Sequence, residues 1–373
     1  YYPYLGNVGT TNYNFNNNLV TGLAISSLSN SALKWERNQQ LDAGVDIGLL
    51  QNRISISVDY YDRITKDLLL SVNVPTLTGF GSAFKNIGRM SNKGFEFGVN
   101  SYNLTGAFTW NTGINLSFNR NKVLALGPTG DPILSSSGVG ETNITMIGQP
   151  IGSFYGYKQV GIFLDDADLH TNPHDKTTKP GDVKYEDVNK DGKIDATDRT
   201  LIGNNQPDFI YSMNNTFSYK NIDLSISLQG TQGGKILNLS RRFFDNLEGS
   251  ANNLAIVMDR WHSPSDPGNG TEPRANARTT GNNSAISSRW VEDGSYLRIQ
   301  KSSIGYKLPK SVLNRIKLQQ VRIYASAQNL YTWTNYLNFN PEVSNYEGPL
   351  TGGVDYGSYP LAKTVTFGIN VGF

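Results

Sequence analysis

The chain has 373 residues, 38% of them hydrophobic and 17% charged, with 38 glycines, 20 tyrosines and no cysteine. A net charge of +2 gives no electrostatic basis for nucleic-acid binding, and the lack of cysteine excludes disulfides and thiolate metal sites. The apolar fraction is thin for a soluble core, the aromatics are too many for disorder, and no run reaches the roughly 18 apolar residues of a membrane helix.

From residue 36 onward, apolar and polar residues alternate in the period-2 pattern of β-strands. Leu41, Ala43, Val45, Ile47 and Leu49 share one face, with Asp42, Gly44, Asp46 and Gly48 on the other. After a tight turn at Gln51-Asn52 come Ile54, Ile56, Val58 and Tyr60. A long loop is expected near 71–87. Phe95, Phe97 and Val99 then form the next face, and Phe108, Trp110, Ile114, Leu116 and Phe118 follow a turn at 103–106. A second long loop is expected at 124–142, followed by a strand pair at 141–148 and 152–163. A third loop covers 164–206. Phe209, Tyr211, Met213, Phe217 and Tyr219 lead through Lys220-Asn221 to Ile222, Leu224, Ile226 and Leu228. Beyond a loop at 238–288, Leu297, Ile299 and Tyr306 precede a connection at 308–318 long enough for a helical turn. Val321, Ile323, Ala325 and Ala327 follow, then a loop at 334–360. The last strand places Val365, Phe367, Ile369, Val371 and Phe373 on one face.

Half-polar strands joined alternately by tight turns and long loops describe a transmembrane barrel with short periplasmic turns and long extracellular loops. Aromatics near strand ends (Tyr60, Tyr61, Tyr102, Tyr219, Tyr331, Trp333) fit interfacial girdles. If the last strand ends in the periplasm, the strand at 36–50 also runs inward and residues 1–35 lie outside. The stretch 124–206 must then hold no wall strand or one pair. Counting the pair at 141–163 gives about eleven strands. An odd count that starts outside predicts further barrel on the N-terminal side.

Residues 187–198 follow the spacing of a twelve-residue calcium loop. Asp187, Asn189 and Asp191 stand at positions 1, 3 and 5, and Gly192 stands at the sharp turn. Lys193 would offer its carbonyl at position 7, and Asp195 would act at 9. Asp198 replaces the usual Glu at 12. Hard oxygen donors in this order suit Ca²⁺, and its expected role is to stiffen a long extracellular loop. The flanks look extended, so a lone loop is expected rather than a helix-flanked sensor. An Asp/Asn/Gly turn without metal is the alternative. His170 and His174 are separated by Pro173, which argues against a shared helix face. No nucleophile elbow, P-loop or H-E-x-x-H occurs, so no enzyme is expected. Tyr346 and Tyr356 could stack on sugar rings or simply pack their loops.

Several segments resemble one family. Leu33-Lys34-Trp35-Glu36 precedes the first strand. Asn52-Arg53, Val58-Asp59-Tyr60-Tyr61 and Thr65-Lys66-Asp67-Leu68-Leu69 follow, then Asn86-Ile87-Gly88 and Asn92-Lys93-Gly94-Phe95-Glu96. Gly156-Tyr157, Gly161-Ile162-Phe163, Gly181-Asp182-Val183-Lys184-Tyr185, Asp198-Arg199, Gly294-Ser295-Tyr296-Leu297-Arg298 and Gln328-Asn329-Leu330-Tyr331-Thr332 complete the set. In this order they resemble SusC-like TonB-dependent outer-membrane transporters of Bacteroidetes. The resemblance implies an all-β transmembrane antiparallel β-barrel of about 22 strands, with an N-terminal plug. Residues 36–373 would be its C-terminal half. It implies active import of a large nutrient, a glycan or peptide substrate, across the outer membrane of a Gram-negative cell. The implied partners are the plug and first half of the barrel, a SusD-like lipoprotein, TonB-ExbB-ExbD and outer-membrane lipid. The alternatives are a passive porin or adhesin barrel, or a soluble calcium-stabilised binding module.

Overall fold

The computed structural model describes residues 4–127, 129–250, 252–278, 280–343 and 348–373. Its main element is one antiparallel sheet of nine strands. In chain order these are Arg37–Leu49, Ile54–Asn73, Ser82–Thr105, Phe108–Leu126, Pro207–Tyr219, Ile222–Gly233, Tyr296–Lys307, Gln320–Thr334 and Thr364–Gly372. Each pairs with the next. The first and ninth strands do not pair with each other, so the wall is open.

Alternation is what turns these sequences into a wall. One face carries Val45, Ile47, Ile114, Ile323, Val365, Phe367 and Ile369, all exposed, Phe367 by 80%. Left in water, each such side chain forgoes about 1.5–3 kcal/mol of burial. A band of them on one sheet face is stable only against hydrocarbon. The opposite face carries Asp42, Asp59, Glu96, Asn115 and Ser212.

The tight turns sit where expected. Leu50, Gln51 and Asn52 adopt left-handed φ of 53°, 56° and 63°, and Lys220 turns at 52°. The connection at 308–318 contains the helix Lys310–Ile316, ended by Lys317 at φ 55°. At Gly94, an added Cβ would lie 2.1 Å from the Phe118 carbonyl oxygen and 2.5 Å from the Tyr61 hydroxyl. Only glycine lets the Tyr61 ring lie across the neighbouring strand.

The wall has nine strands where about eleven were expected. The pair expected at 141–148 and 152–163 is not in it. Glu141–Thr145 and Ser153–Gly156 belong instead to a four-stranded sheet with Ile133–Ser136 and Thr200–Gly203. Gly148 and Gly152 break the run at φ 91° and 64°. Thr142, Asn143, Ile144 and Thr145 are all buried, so this strand has no face to offer to lipid. With no wall strand between 127 and 206, the inward direction of the first strand still follows.

The loop expected at 71–87 is mostly strand, since the hairpin runs on to Asn73 and resumes at Ser82. Residues 1–35 hold a hairpin, Val8–Phe15 with Asn18–Ile25, and residues 1–3 lie outside the described residues. Positions 128, 251, 279 and 344–347 of the other expected loops also lie outside them.

The long loops build their own packed layer. Phe154, Leu237, Leu239, Trp290 and Val354 form one core. It sits between the four-stranded sheet and a three-stranded one made of Val291–Asp293, Lys235–Asn238 and Val354–Asp355. Leu70, Val123, Leu126 and Ile133 form a second core against Ile151 and Leu350, joining this layer to the outer ends of the wall.

Candidate functional site

The sheet's polar face is the first candidate. Asp42, Asp59, Tyr61, Arg63, Asn92, Glu96 and their neighbours line an open recess of about 610 Å³. Arg63 donates to Gln40 (2.6 Å), and Gln40 to Asp42 (2.8 Å). Tyr61 donates to Asn119 (2.9 Å). A second recess, of about 360 Å³, continues along Ser57, Asn115, Ser212 and Gln229. Such a face offers hydroxyls, amides and carboxylates to a solute.

Loop segments are fastened onto the outer end of this face. The Ile151 amide donates to Asn121 Oδ1 (2.9 Å), and Val123 exchanges backbone hydrogen bonds with Gly148 and Gln149 (2.9 Å each). Further round, Glu342 accepts from Tyr296 (2.7 Å) and pairs with Arg298, whose other arm reaches Asn340 (3.0 Å). Arg298 is 4% exposed, so Glu342 neutralises a charge with little access to water. Both segments attach to the polar side of the wall near its outer end.

The loop layer above is held by buried ions. Arg241 pairs with Asp245 (2.5 Å) and Glu292 (3.1 Å). Arg289 pairs with Glu272 and lies over the Trp290 ring at 4.5 Å. Burial lowers the Arg289 pKa despite that partner, and burial pushes the Tyr185 phenol far up. Lys184 clamps Asp168 at 2.5 Å. Burial opposes the Asp168 carboxylate, yet Lys184 and the Leu164 amide outweigh it and hold its pKa below the ordinary value.

The calcium-like segment folds as one turn. Asp187 accepts from the amides of Lys190 (2.7 Å) and Gly192 (2.9 Å), and Asn189 from Asp191 (3.0 Å). Asp191 accepts from Lys193 (3.0 Å). Lys190 and Gly192 are left-handed, at φ 62° and 83°. The second half points elsewhere. Asp195 caps Thr197 through its amide and hydroxyl (2.8 and 2.7 Å), and these bonds lower its pKa. Asp198, fully buried, takes the amides of Val188 (2.9 Å) and Asp195 (2.8 Å). Asp187, Asn189 and Asp191 are thus brought together, while Asp195 and Asp198 cap the loop. Among the described residues, no three His, Cys, Asp or Glu side chains group as a metal site.

The histidines are apart. His170 Nδ1 meets the Asp166 carbonyl (2.5 Å), His174 Nδ1 the Asn172 carbonyl (2.9 Å), and His262 lies near Met258. The helix Asp166–Thr171 ends before Pro173, which keeps His170 and His174 off one face. Tyr356 is 58% exposed and meets Phe243 edge-on at 5.8 Å. Tyr346 lies outside the described residues. The fastened segments and buried ion pairs were missed by sequence reasoning. Apart from Arg241 and Asp245, which are four residues apart, their partners lie 16 or more residues apart without periodicity.

The chain is similar to known proteins. A family model described as the TonB dependent receptor-like β-barrel matches residues 2–143. TonB-dependent receptor P3 of Formosa agariphila is 39% identical over 366 residues, spanning 95% of this chain and 36% of that protein. TonB-dependent receptor SusC of Bacteroides thetaiotaomicron is 28% identical over 360 residues, 92% of this chain and 32% of its own. Among solved structures, the RagAB peptide transporter superposes with a TM-score of 0.79, covering 100% of this chain and 39% of that one at 24% identity. The chain therefore spans little more than a third of these relatives' length.

Proposed function

The chain belongs to the TonB-dependent receptors as part of their outer-membrane β-barrel, and from that premise we propose that it forms wall and extracellular loops of a SusC-like importer. The whole protein takes up a large nutrient, a glycan or a peptide, using energy delivered by TonB-ExbB-ExbD. A plug and the remaining barrel come from the rest of the receptor, and a SusD-like lipoprotein covers the loops. The observation that carries this reading is the pairing of a polar inner face with loop segments fastened across its outer end. An adhesin has no use for a lined interior. Similarity to TonB-dependent receptors along 95% and 92% of this chain favours active import over a passive pore. Growth of a deletion strain on single nutrients, with and without intact TonB, tests it. Loss of growth on one glycan or peptide source, reproduced by removing TonB, is expected. Unchanged growth on every source refutes the reading.

We propose further that the 187–198 loop takes calcium. Asp187, Asn189, Asp191 and the Lys193 carbonyl would supply the first half of the ligand set. Asp195 and Asp198 would join as the ion draws them from the amides they now cap. The support is the order of oxygen donors and the left-handed turn at Lys190 and Gly192. Metal analysis of the purified receptor after dialysis is expected to show one calcium that Asp187→Ala removes. Equal calcium in both proteins counts against the assignment.

A further inference from the structure

A hydrogen-bonded chain lies on the outer, apolar face of the wall, where polar groups are costly. Ser101 Oγ donates to Asn103 Oδ1 (2.8 Å), and Asn103 Nδ2 to Thr112 Oγ1 (2.8 Å). Thr112 Oγ1 donates to Asn215 Oδ1 (2.8 Å), which also accepts from Trp110 Nε1 (3.0 Å). Every donor in the chain points toward Asn215. With its oxygen taken twice, Asn215 presents its Nδ2 hydrogens, which donate to nothing among the described residues. Asn215 is 9% exposed.

The setting says what could accept. Trp110 stacks on Phe217 (5.8 Å between centroids), and Phe217 on Phe108 (6.3 Å), forming an aromatic row beside the short turns at 106–107 and 220–221. Such rows mark the headgroup boundary. Asn215 pairs with Thr112, two residues from Trp110. At ~3.4 Å per residue that is about 7 Å further along the strand, where headgroup gives way to acyl chain. The strands carrying the chain are paired on both sides, so this is not the open edge of the sheet. Water is scarce at this depth, while ester carbonyls are abundant and lack donors of their own. A donor amide left unpaired there is destabilising.

We propose that Asn215 Nδ2, oriented by Trp110 and Thr112, binds the acyl-ester carbonyl of one phospholipid in the periplasmic leaflet. The site lies on the outer wall, away from the inner face and the loops. It goes beyond the import reading, and its test does not depend on which nutrient is carried.

The test uses the full receptor, delipidated in mild detergent and titrated with dioleoyl phosphatidylcholine or its diether analogue. Native mass spectrometry reads the retained lipid. The wild type is expected to hold the diester about fivefold better than Asn215→Leu, the worth of one hydrogen bond. The diether, which keeps the phosphate but lacks the carbonyls, is expected to bind as weakly as the variant. Because Asn215→Leu strands the Trp110 N–H, the double variant Trp110→Phe/Asn215→Leu checks that any loss is not misfolding. It should insert normally and retain as little diester. Equal diester retention by wild type and both variants overturns the proposal, leaving annular lipid only. Equal retention of diester and diether by the wild type overturns the ester assignment.

Discussion

Arg289 and Glu272 form a buried pair that the surrounding carboxylates do not replace: Arg289 Nε and Nη1 donate to nothing among the described residues. Removing one partner of such a pair typically costs about 3–5 kcal/mol, because the other charge stays in low dielectric. Glu272→Ala is therefore expected to loosen the loop layer around Trp290 while sparing the wall. Hydrogen exchange on the full receptor should rise at residues 285–293 and stay unchanged in the wall strands. Asp168 supplies a pH signature. Its carboxylate is held below its ordinary pKa by Lys184 and the Leu164 amide, against burial. A depressed folded pKa adds stability that is present above the unfolded value, about 3.9, and is lost as pH falls through the folded one. The clip joining the helix Asp166–Thr171 to the strand Val183–Tyr185 should thus weaken below about pH 4, and Lys184→Met should abolish that dependence. Proteolysis of this loop across pH reads both. At this scale the sequence revealed little. The 187–198 segment stands out in the sequence because its oxygen donors recur at nearly every second position within twelve residues. Arg289 sits in the single 3-10 turn Ser288–Trp290 and Glu272 lies outside any helix or strand, where neither spacing nor periodicity marks a contact.

At the scale of elements the reverse holds. All nine wall strands show in the alternation of residues such as Leu41, Val45 and Ile47, since only one side of each strand meets lipid. The rule fails where both faces are covered. Glu141–Thr145 reads as a plausible wall strand, yet Thr142 and Asn143 are as buried as Ile144. Side-chain chemistry along four residues does not distinguish protein on both faces from lipid on one. The wall assignment makes a sharp contrast testable. Ile114 lies on the apolar face a third of the way along its strand, about 14 Å from Trp110 at ~3.4 Å per residue, and Asn115 faces the lined recess. Ile114→Arg is expected to cost roughly 2–4 kcal/mol, as a cation at the bilayer midplane does. Asn115→Arg is expected to stay within about 1 kcal/mol. Unfolding by guanidinium in lipid vesicles measures both, and equal costs would contradict the facing of this strand.

For the whole molecule, what matters is that separate long loops converge at one mouth. Residues 148–151 bond the inner side of the fourth wall strand, while Asn340 and Glu342 bond the seventh. Leu350 then reaches back to Ile151 and the Leu70–Val123–Leu126 core, so the last loop spans from one side of the open wall to the other. No local pattern reports this, because the contacts join stretches nearly two hundred residues apart whose register is set by the wall between them. Glu342 is the weak point. Its side chain is 37% exposed while Arg298 is 5%, so losing it strands a buried guanidinium on Asn340 and Thr332 alone. Glu342→Ala should release residues 340–343 from the inner face, at a cost of about 1–3 kcal/mol, while Tyr336, Leu337 and Asn338 stay bonded to Asp355 and Glu292 and the Leu350 anchor stays in place. Hydrogen exchange should therefore rise at 340–343 and not at 348–354. If both stretches loosen together, the loop is a single hinged body. If neither does, Glu342 contributes nothing to the strap, and the mouth is held by the apolar core alone.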